Sequence, residues 1–64
     1  MPRRSKFEVY RDNGGGSRWR LKATNGETVA TGESFMSKPA ALKGAEAVRK
    51  LAQAAVVVDL TGGA

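Results

Sequence analysis

Cations at alternate positions are the feature of this sequence that best suits a chemical role. The run Arg18-Trp19-Arg20-Leu21-Lys22 would carry three of them on one face of a β-strand, roughly 7 Å apart. That spacing is comparable with the distance between successive phosphates along a nucleic-acid strand. With two side chains expected on the neighbouring strand, the candidate anion or nucleic-acid contacts are Arg18, Arg20, Lys22, Lys6 and Tyr10. The alternative is a solvated outer face whose charges are balanced, with Glu8 opposite Arg20.

The overall charge favours the same class of partner, while the residue types argue against catalysis. Eleven Lys and Arg against six Asp and Glu give a net charge of +5, which favours nucleic acid, phosphorylated ligands or an acidic protein. The 64 residues include no Cys and no His, which removes disulfides, most transition-metal sites and a histidine base. The carboxylates are scattered and form no calcium loop. We therefore predict no catalytic, cofactor-binding or metal-binding residues, and no enzymatic activity.

Two alternating runs must position these cations, and together they predict a β-hairpin. Residues 6–11 and 17–23 both alternate apolar with polar side chains, which is typical of half-buried strands. The glycine-rich segment Asp12–Gly16 between them is a turn and not a phosphate-binding loop, because it leads into a strand instead of a helix. Symmetric pairing about the glycines gives the cross-strand partners Val9 with Trp19, Phe7 with Leu21, Glu8 with Arg20 and Tyr10 with Arg18.

A second turn is indicated by Asn25-Gly26, since tight hairpin turns favour these two residues. The strand that follows covers Glu27–Gly32. A plain two-residue turn would direct Ala30 towards the core, whereas a turn with a glycine bulge would direct Val29 and Thr31 inwards. The bulged form is expected, because Val29 is better suited to a core than Ala30.

The next element is predicted to be an amphipathic helix. Ser37 or Lys38 takes the cap position, because Pro39 belongs in the first helical turn. Gly44 would let the helix approach the sheet closely, for example against the Trp19 ring. Spacing over residues 40–55 gives the inward stripe Ala41, Gly44, Ala45, Val48, Leu51, Ala52 and Ala55.

The predicted helix is followed by a mostly apolar run, Val56–Leu60, which we call the tail. Its β-branched residues predict a short fourth strand, paired with a sheet edge of this chain or of a second copy. A core this thin usually needs help, so a homodimer is expected, with possible dimer contacts at Val56, Val58 and Leu60. The predicted fold class is α+β: a three-stranded antiparallel meander packed on one helix, with a short C-terminal fourth strand (β-β-β-α-β).

Residues 1–5 are expected to be a flexible basic N-terminus, residues 6–60 a single domain, and residues 61–64 a flexible C-terminus. The N-terminus leads into no apolar run, and no stretch has the ~20 apolar residues of a membrane span. The expected location is therefore cytoplasmic, with no membrane partner and no small-molecule substrate.

Four segments together resemble the YegP-like family of small domains, over about Lys6 to Leu60. They are Phe7–Asp12, Arg18–Ala23, Asn25–Glu27, and Ser37-Lys38 ahead of a helix with Gly44 and Val48. The resemblance implies a β-rich unit with one helix, found as tandem repeats or as single units that dimerise, with no established biochemical function. Because this chain holds one unit and no internal repeat, the resemblance implies a dimer. It brings no functional residues with it.

Overall fold

A computed structural model describes residues 4–62 and contains three strands and one helix. The strands are β1 (Lys6–Arg11), β2 (Ser17–Lys22) and β3 (Thr28–Thr31), and they form one antiparallel sheet in the order β1-β2-β3. Helix α1 (Lys38–Ala54) packs on β1 and β2. The predicted α+β meander with one helix is confirmed. Parts of the predicted flexible ends, residues 1–3 and 63–64, lie outside the described residues.

The first hairpin has the predicted register. All four expected pairs are present: Val9 with Trp19, Phe7 with Leu21, Glu8 with Arg20 and Tyr10 with Arg18. The loop closes because the Asp12 N–H donates to Gly16 O at 2.8 Å and the Gly15 N–H donates to Asp12 O at 3.2 Å. Gly15 has a φ of +87°, a conformation that glycine adopts without a steric penalty.

The second hairpin is irregular as predicted, but the predicted choice of inward residues is wrong. The register shifts between Leu21 and Lys22, so that Leu21 pairs with Ala30 while Val29 is 59% exposed. The Gly32 N–H donates to Trp19 O at 3.0 Å. Ala30 of β3 therefore lies opposite Leu21, and Gly32, just after β3, lies against Trp19. A register with Val29 and Thr31 inwards would bring β-branched groups against these large side chains.

Helix α1 begins after the predicted cap residue Ser37. Gly44 allows a close approach to the helix as predicted, but the ring that approaches it is Phe35 instead of Trp19. Ser37 is the N-cap residue, and its hydroxyl accepts the Ala40 N–H at 3.3 Å. A Cβ on Gly44 would lie 2.7 Å from Phe35 Cζ, so the glycine admits Phe35 and not Trp19. Phe35 is held beside β2, since its backbone N–H and C=O both bond to Ser17.

The core is small and lies between β2 and the first half of the helix. The buried apolar residues are Trp19, Ala41 and Ala45, with relative exposures of 8%, 0% and 6%. Phe7 meets Trp19 edge to face, with ring centroids 5.4 Å apart. Among these buried residues of the described chain, Trp19 is the one large side chain.

The predicted fourth strand is absent from the described residues. Helix α1 ends at Ala54, Ala55 is extended with ψ of 145°, and within residues 4–62 the tail pairs with no strand. Leu51, which belonged to the predicted inward stripe, is 72% exposed. Ala52 and Ala55, the stripe residues that follow it, are exposed as well. The second half of the helix thus extends past the sheet, leaving the tail without a strand beside it.

Candidate functional site

The five predicted contact residues lie together on one face of the sheet, which we call the outer face. In the register of the first hairpin, Lys6 is the partner of Lys22 and Tyr10 is the partner of Arg18. Arg20 lies between them on β2. The core residues Phe7 and Trp19 alternate with these positions and point to the opposite, helix-covered side.

The predicted pair of Glu8 and Arg20 is confirmed. Arg20 Nε donates to Glu8 Oε1 at 2.8 Å, and the guanidinium carbon lies 4.5 Å from the centre of the Tyr10 ring. The hydrogen bond from Arg20, supported by the nearby Lys6 ammonium, holds the pKa of Glu8 below its ordinary value despite some desolvation. Because Arg20 covers Tyr10, this ring is not a free platform for stacking a base.

The Asp12 carboxylate is a second charged group on this face, and the sequence did not single it out. Its Oδ1 accepts the N–H groups of Gly14 and Gly16, both at 2.9 Å. Its Oδ2 accepts the Ser34 hydroxyl at 2.7 Å and Arg18 Nε at 3.1 Å. The Ser34 bond, followed by the Gly16, Arg18 and Gly14 donors, lowers the pKa of Asp12.

The bonds of Asp12 tie the first hairpin loop to the segment before the helix. An Asp ahead of a glycine turn is typical of a side chain that accepts local N–H groups, so this part was visible in the sequence. The contact with Ser34 joins residues 22 positions apart and had no sequence signal. Arg18 also donates to Gly32 O at 3.3 Å, so its guanidinium is used within the chain.

The lysines at the other end of the sheet are less fully engaged. Lys6 Nζ lies 3.4 Å from Glu8 Oε2, a carboxylate that already pairs with Arg20. Lys22 Nζ donates to the uncharged Gly26 carbonyl at 3.0 Å. A shallow depression at this end is lined by Arg4, Lys6, Glu8, Lys22, Ala23, Thr24 and Gly26. Three cations and one carboxylate thus share one small concavity.

The distribution of carboxylates bears on metal binding, and the length of the helix bears on membrane insertion. Within residues 4–62, no group of three or more His, Cys, Asp or Glu side chains could hold a metal ion. In the same part of the chain, no helix has the length and apolar character needed to cross a membrane.

These features define a small α+β domain with a thin core and a basic, uncovered sheet face. The chain belongs to the family described as "Domain of unknown function (DUF1508)", whose model matches residues 12–59. The matched range includes most of the tail, so the tail is part of the family's domain and not an appendage to it. The predicted YegP-like membership is confirmed.

Relatives with similar lengths come from bacteria and an archaeon. A UPF0339 protein of Treponema denticola is 51% identical over 55 residues, covering 86% of this chain and 95% of the relative. One of Agrobacterium fabrum is 41% identical over 56 residues, covering 88% and 90%. A solution structure of a protein from Haloferax volcanii superimposes with a TM-score of 0.76 at 38% identity, covering 89% of this chain and 97% of that one. The family has no known function.

Proposed function

We propose that the protein is a non-enzymatic interaction module that works as a homodimer, in which each copy lends its tail to the other. The observation that supports this most directly is the exposure of the tail. Val56, Val57, Val58 and Leu60 are 80%, 100%, 64% and 87% exposed. A β-prone apolar run left open to water is an aggregation hazard, and pairing with a second copy removes it.

The total surface area is larger than expected for a compact monomer of this size. A compact monomer of 6.8 kDa is expected to expose about 4,000 Å², whereas this chain exposes 5408 Å². The excess, about 1,400 Å², reflects a chain that is less compact than a typical monomer, and the exposed tail contributes to it. Leu51 at the exposed end of the helix, 72% accessible, adds apolar surface next to the tail.

We propose no enzymatic activity because the outer face offers neither a histidine or cysteine nor an unpaired carboxylate among its described residues. The sequence has no Cys or His, and the two carboxylates on the outer face are bonded to Arg20 and to the Arg18, Ser34 and glycine donors. Both pKa values are shifted away from neutrality, which is the wrong direction for a carboxylate that must exchange protons near pH 7. The chain's lack of Cys also suits the reducing cytoplasm, where we place the module.

Sedimentation velocity over a concentration series tests the dimer. The unaltered protein is expected to sediment at twice its chain mass of 6.8 kDa. In an extended strand, Val56 and Val58 share one face and Val57 lies on the other. The variant Val58→Ser, alone or with Val56→Ser, should therefore shift the equilibrium towards monomer. The matched control Val57→Ser changes the same residue type one position away and should have the smaller effect. A monomeric parent protein at all concentrations would contradict the proposal.

Nucleic-acid binding by the outer face is a second candidate function. It is favoured by one observation: the helix packs on the opposite side of the sheet, so the cations of the outer face remain accessible. The side chains of Arg18 and Arg20 are 40% and 37% exposed, and that of Lys6 is 65% exposed. Binding of a mixed-sequence oligonucleotide that weakens between about 50 and 200 mM salt would support this function, because phosphate contacts release counterions. Absence of binding at the lower salt concentration would exclude it.

A further inference from the structure

The end of the sheet that carries Lys6 and Lys22 has an unfavourable arrangement of charge. These lysines are direct cross-strand partners, and like charges directly opposite each other destabilise a sheet. Arg4 lines the same depression. We call Arg4, Lys6 and Lys22 the basic end.

Compensation at the basic end is incomplete. Among the described residues that line the depression, Glu8 is the one carboxylate, and its Oε1 is the acceptor for Arg20. Lys6 therefore shares its counterion, and Lys22 has a backbone carbonyl in place of one. The Glu8 carboxylate is thus the single negative charge available to balance the three cations of the depression and Arg20. A second anion would relieve this repulsion.

The two arginines of β2 are less suited to receive that anion. Arg18 already donates to Asp12 and to the Gly32 carbonyl, and Arg20 pairs with Glu8 and lies over Tyr10. A ligand that used them would have to break these contacts. A lysine ammonium is a flexible point charge with three donors, so Lys6 and Lys22 can turn towards an external oxygen at little cost.

We propose that the basic end binds the phosphate backbone of a nucleic acid, with Arg4, Lys6 and Lys22 as the donors. The inference rests on the second candidate function and moves its contacts from the middle of the sheet to this end. The occupant follows from charge complementarity: the depression is shallow and lined by cations, which suits phosphate groups. Tyr10 is covered by Arg20, so the contact is with the backbone and carries no base preference.

A salt titration with matched variants tests this assignment. The probe is a fluorescein-labelled single-stranded oligonucleotide of about fifteen nucleotides, titrated at several salt concentrations from about 50 to 200 mM. Each phosphate contact in a single strand contributes roughly 0.7 to the slope of log K against log salt. The variant Lys6→Gln with Lys22→Gln should reduce that slope by about 0.7 to 1.4. The control Lys43→Gln with Lys50→Gln removes the same charge from exposed positions on α1 and should change the slope less.

Two further measurements separate an effect of the substitutions on folding from an effect on nucleic-acid binding. The Lys6→Gln/Lys22→Gln variant should have a urea midpoint close to that of the parent protein, because losing the like-charge pair offsets losing the exposed contacts of Lys6 with Glu8 and of Lys22 with Gly26 O. Equal slope changes in the two double variants would overturn the assignment to the basic end while leaving nucleic-acid binding intact. If the parent protein shows no salt-dependent binding, both the assignment and the second candidate function are wrong.

Discussion

Replacing Gly32 with Ala should destabilise the domain because this glycine lies against the indole ring of Trp19, the one large buried side chain among the described residues. A Cβ at this position would be 2.1 Å from Trp19 Nε1 and 2.3 Å from Cε2. Ordinary contact begins near 3.4 Å, so the ring or the strand would have to withdraw by about 1.3 Å. The φ of Gly32 is not positive, so the expected penalty comes from contact and not from backbone strain.

The size of the effect follows from the cost of overfilling a packed core. Inserting a methyl group where no space exists typically costs about 1–3 kcal/mol. A domain of this length has a total free energy of unfolding of roughly 3–10 kcal/mol. The substitution Gly32→Ala should therefore remove a large fraction of the stability. Trp19 is the one tryptophan in the sequence, and its fluorescence during urea unfolding measures the change directly.

The control for this experiment is Gly14→Ala. A Cβ at Gly14 meets nothing closer than Asp12 Oδ1 at 3.5 Å, which is an ordinary contact, and its φ is not positive. The Gly14→Ala variant should have a free energy of unfolding within about 0.5 kcal/mol of the parent value or slightly above it, since alanine reduces the entropy of the unfolded chain. Equal urea midpoints for the two variants would refute the packing of Trp19 on Gly32.

Two further outcomes concern the carboxylates and the helix. The pKa values of Asp12 and Glu8 are lower in the folded chain than their ordinary values of 3.8 and 4.5. The two carboxylates therefore contribute fully to the free energy of unfolding above those ordinary values, and this contribution is lost as the pH falls through the folded pKa values. Urea midpoints should thus hold steady from pH 7 to about 5 and decrease below that, less steeply in Asp12→Asn; a flat profile down to pH 3 would contradict the assigned bonds. Ser37→Ala should cost about 1 kcal/mol by removing the hydroxyl that accepts the Ala40 N–H, whereas Ser37→Asp should retain most of the stability.

Local patterns in the sequence predict the first hairpin and the start of the helix correctly. The alternation about the glycines specifies which residues pair, and a one-residue slip would expose Phe7 and Val9 while burying cations. Ser37 and Pro39 mark the helix start because capping depends on residues close in the chain. The basic outer face and its Glu8–Arg20 pair follow from the same register.

Features that depend on distant residues were not predictable in the same way. The choice between Val29 and Ala30 depends on Trp19 and Leu21 across the sheet, which need small partners on β3. Gly44 was correctly assigned to a close approach, but the ring that it admits comes from Phe35 in the connection. The bond between Asp12 and Ser34 requires the hairpin loop and the connection to meet. In each case tertiary contact decided between alternatives that were locally similar.

The tail is the segment on which the proposed homodimer rests. Its β-branched composition predicts a strand, yet no strand of its own sheet lies beside it in the described residues. The family match extends through residue 59, which covers most of this segment. A strand-forming segment inside the family domain, exposed along its length, is best explained by pairing in an assembly.

Isotope-filtered NOE spectroscopy on a refolded mixture of ¹³C-labelled and unlabelled protein tests the exchanged tail most directly. The proposal predicts NOEs from the labelled methyl groups of Val56, Val58 and Leu60 to protons of the unlabelled copy. Tail methyl groups that show NOEs only within their own chain, or chemical shifts of an unstructured peptide, would contradict it.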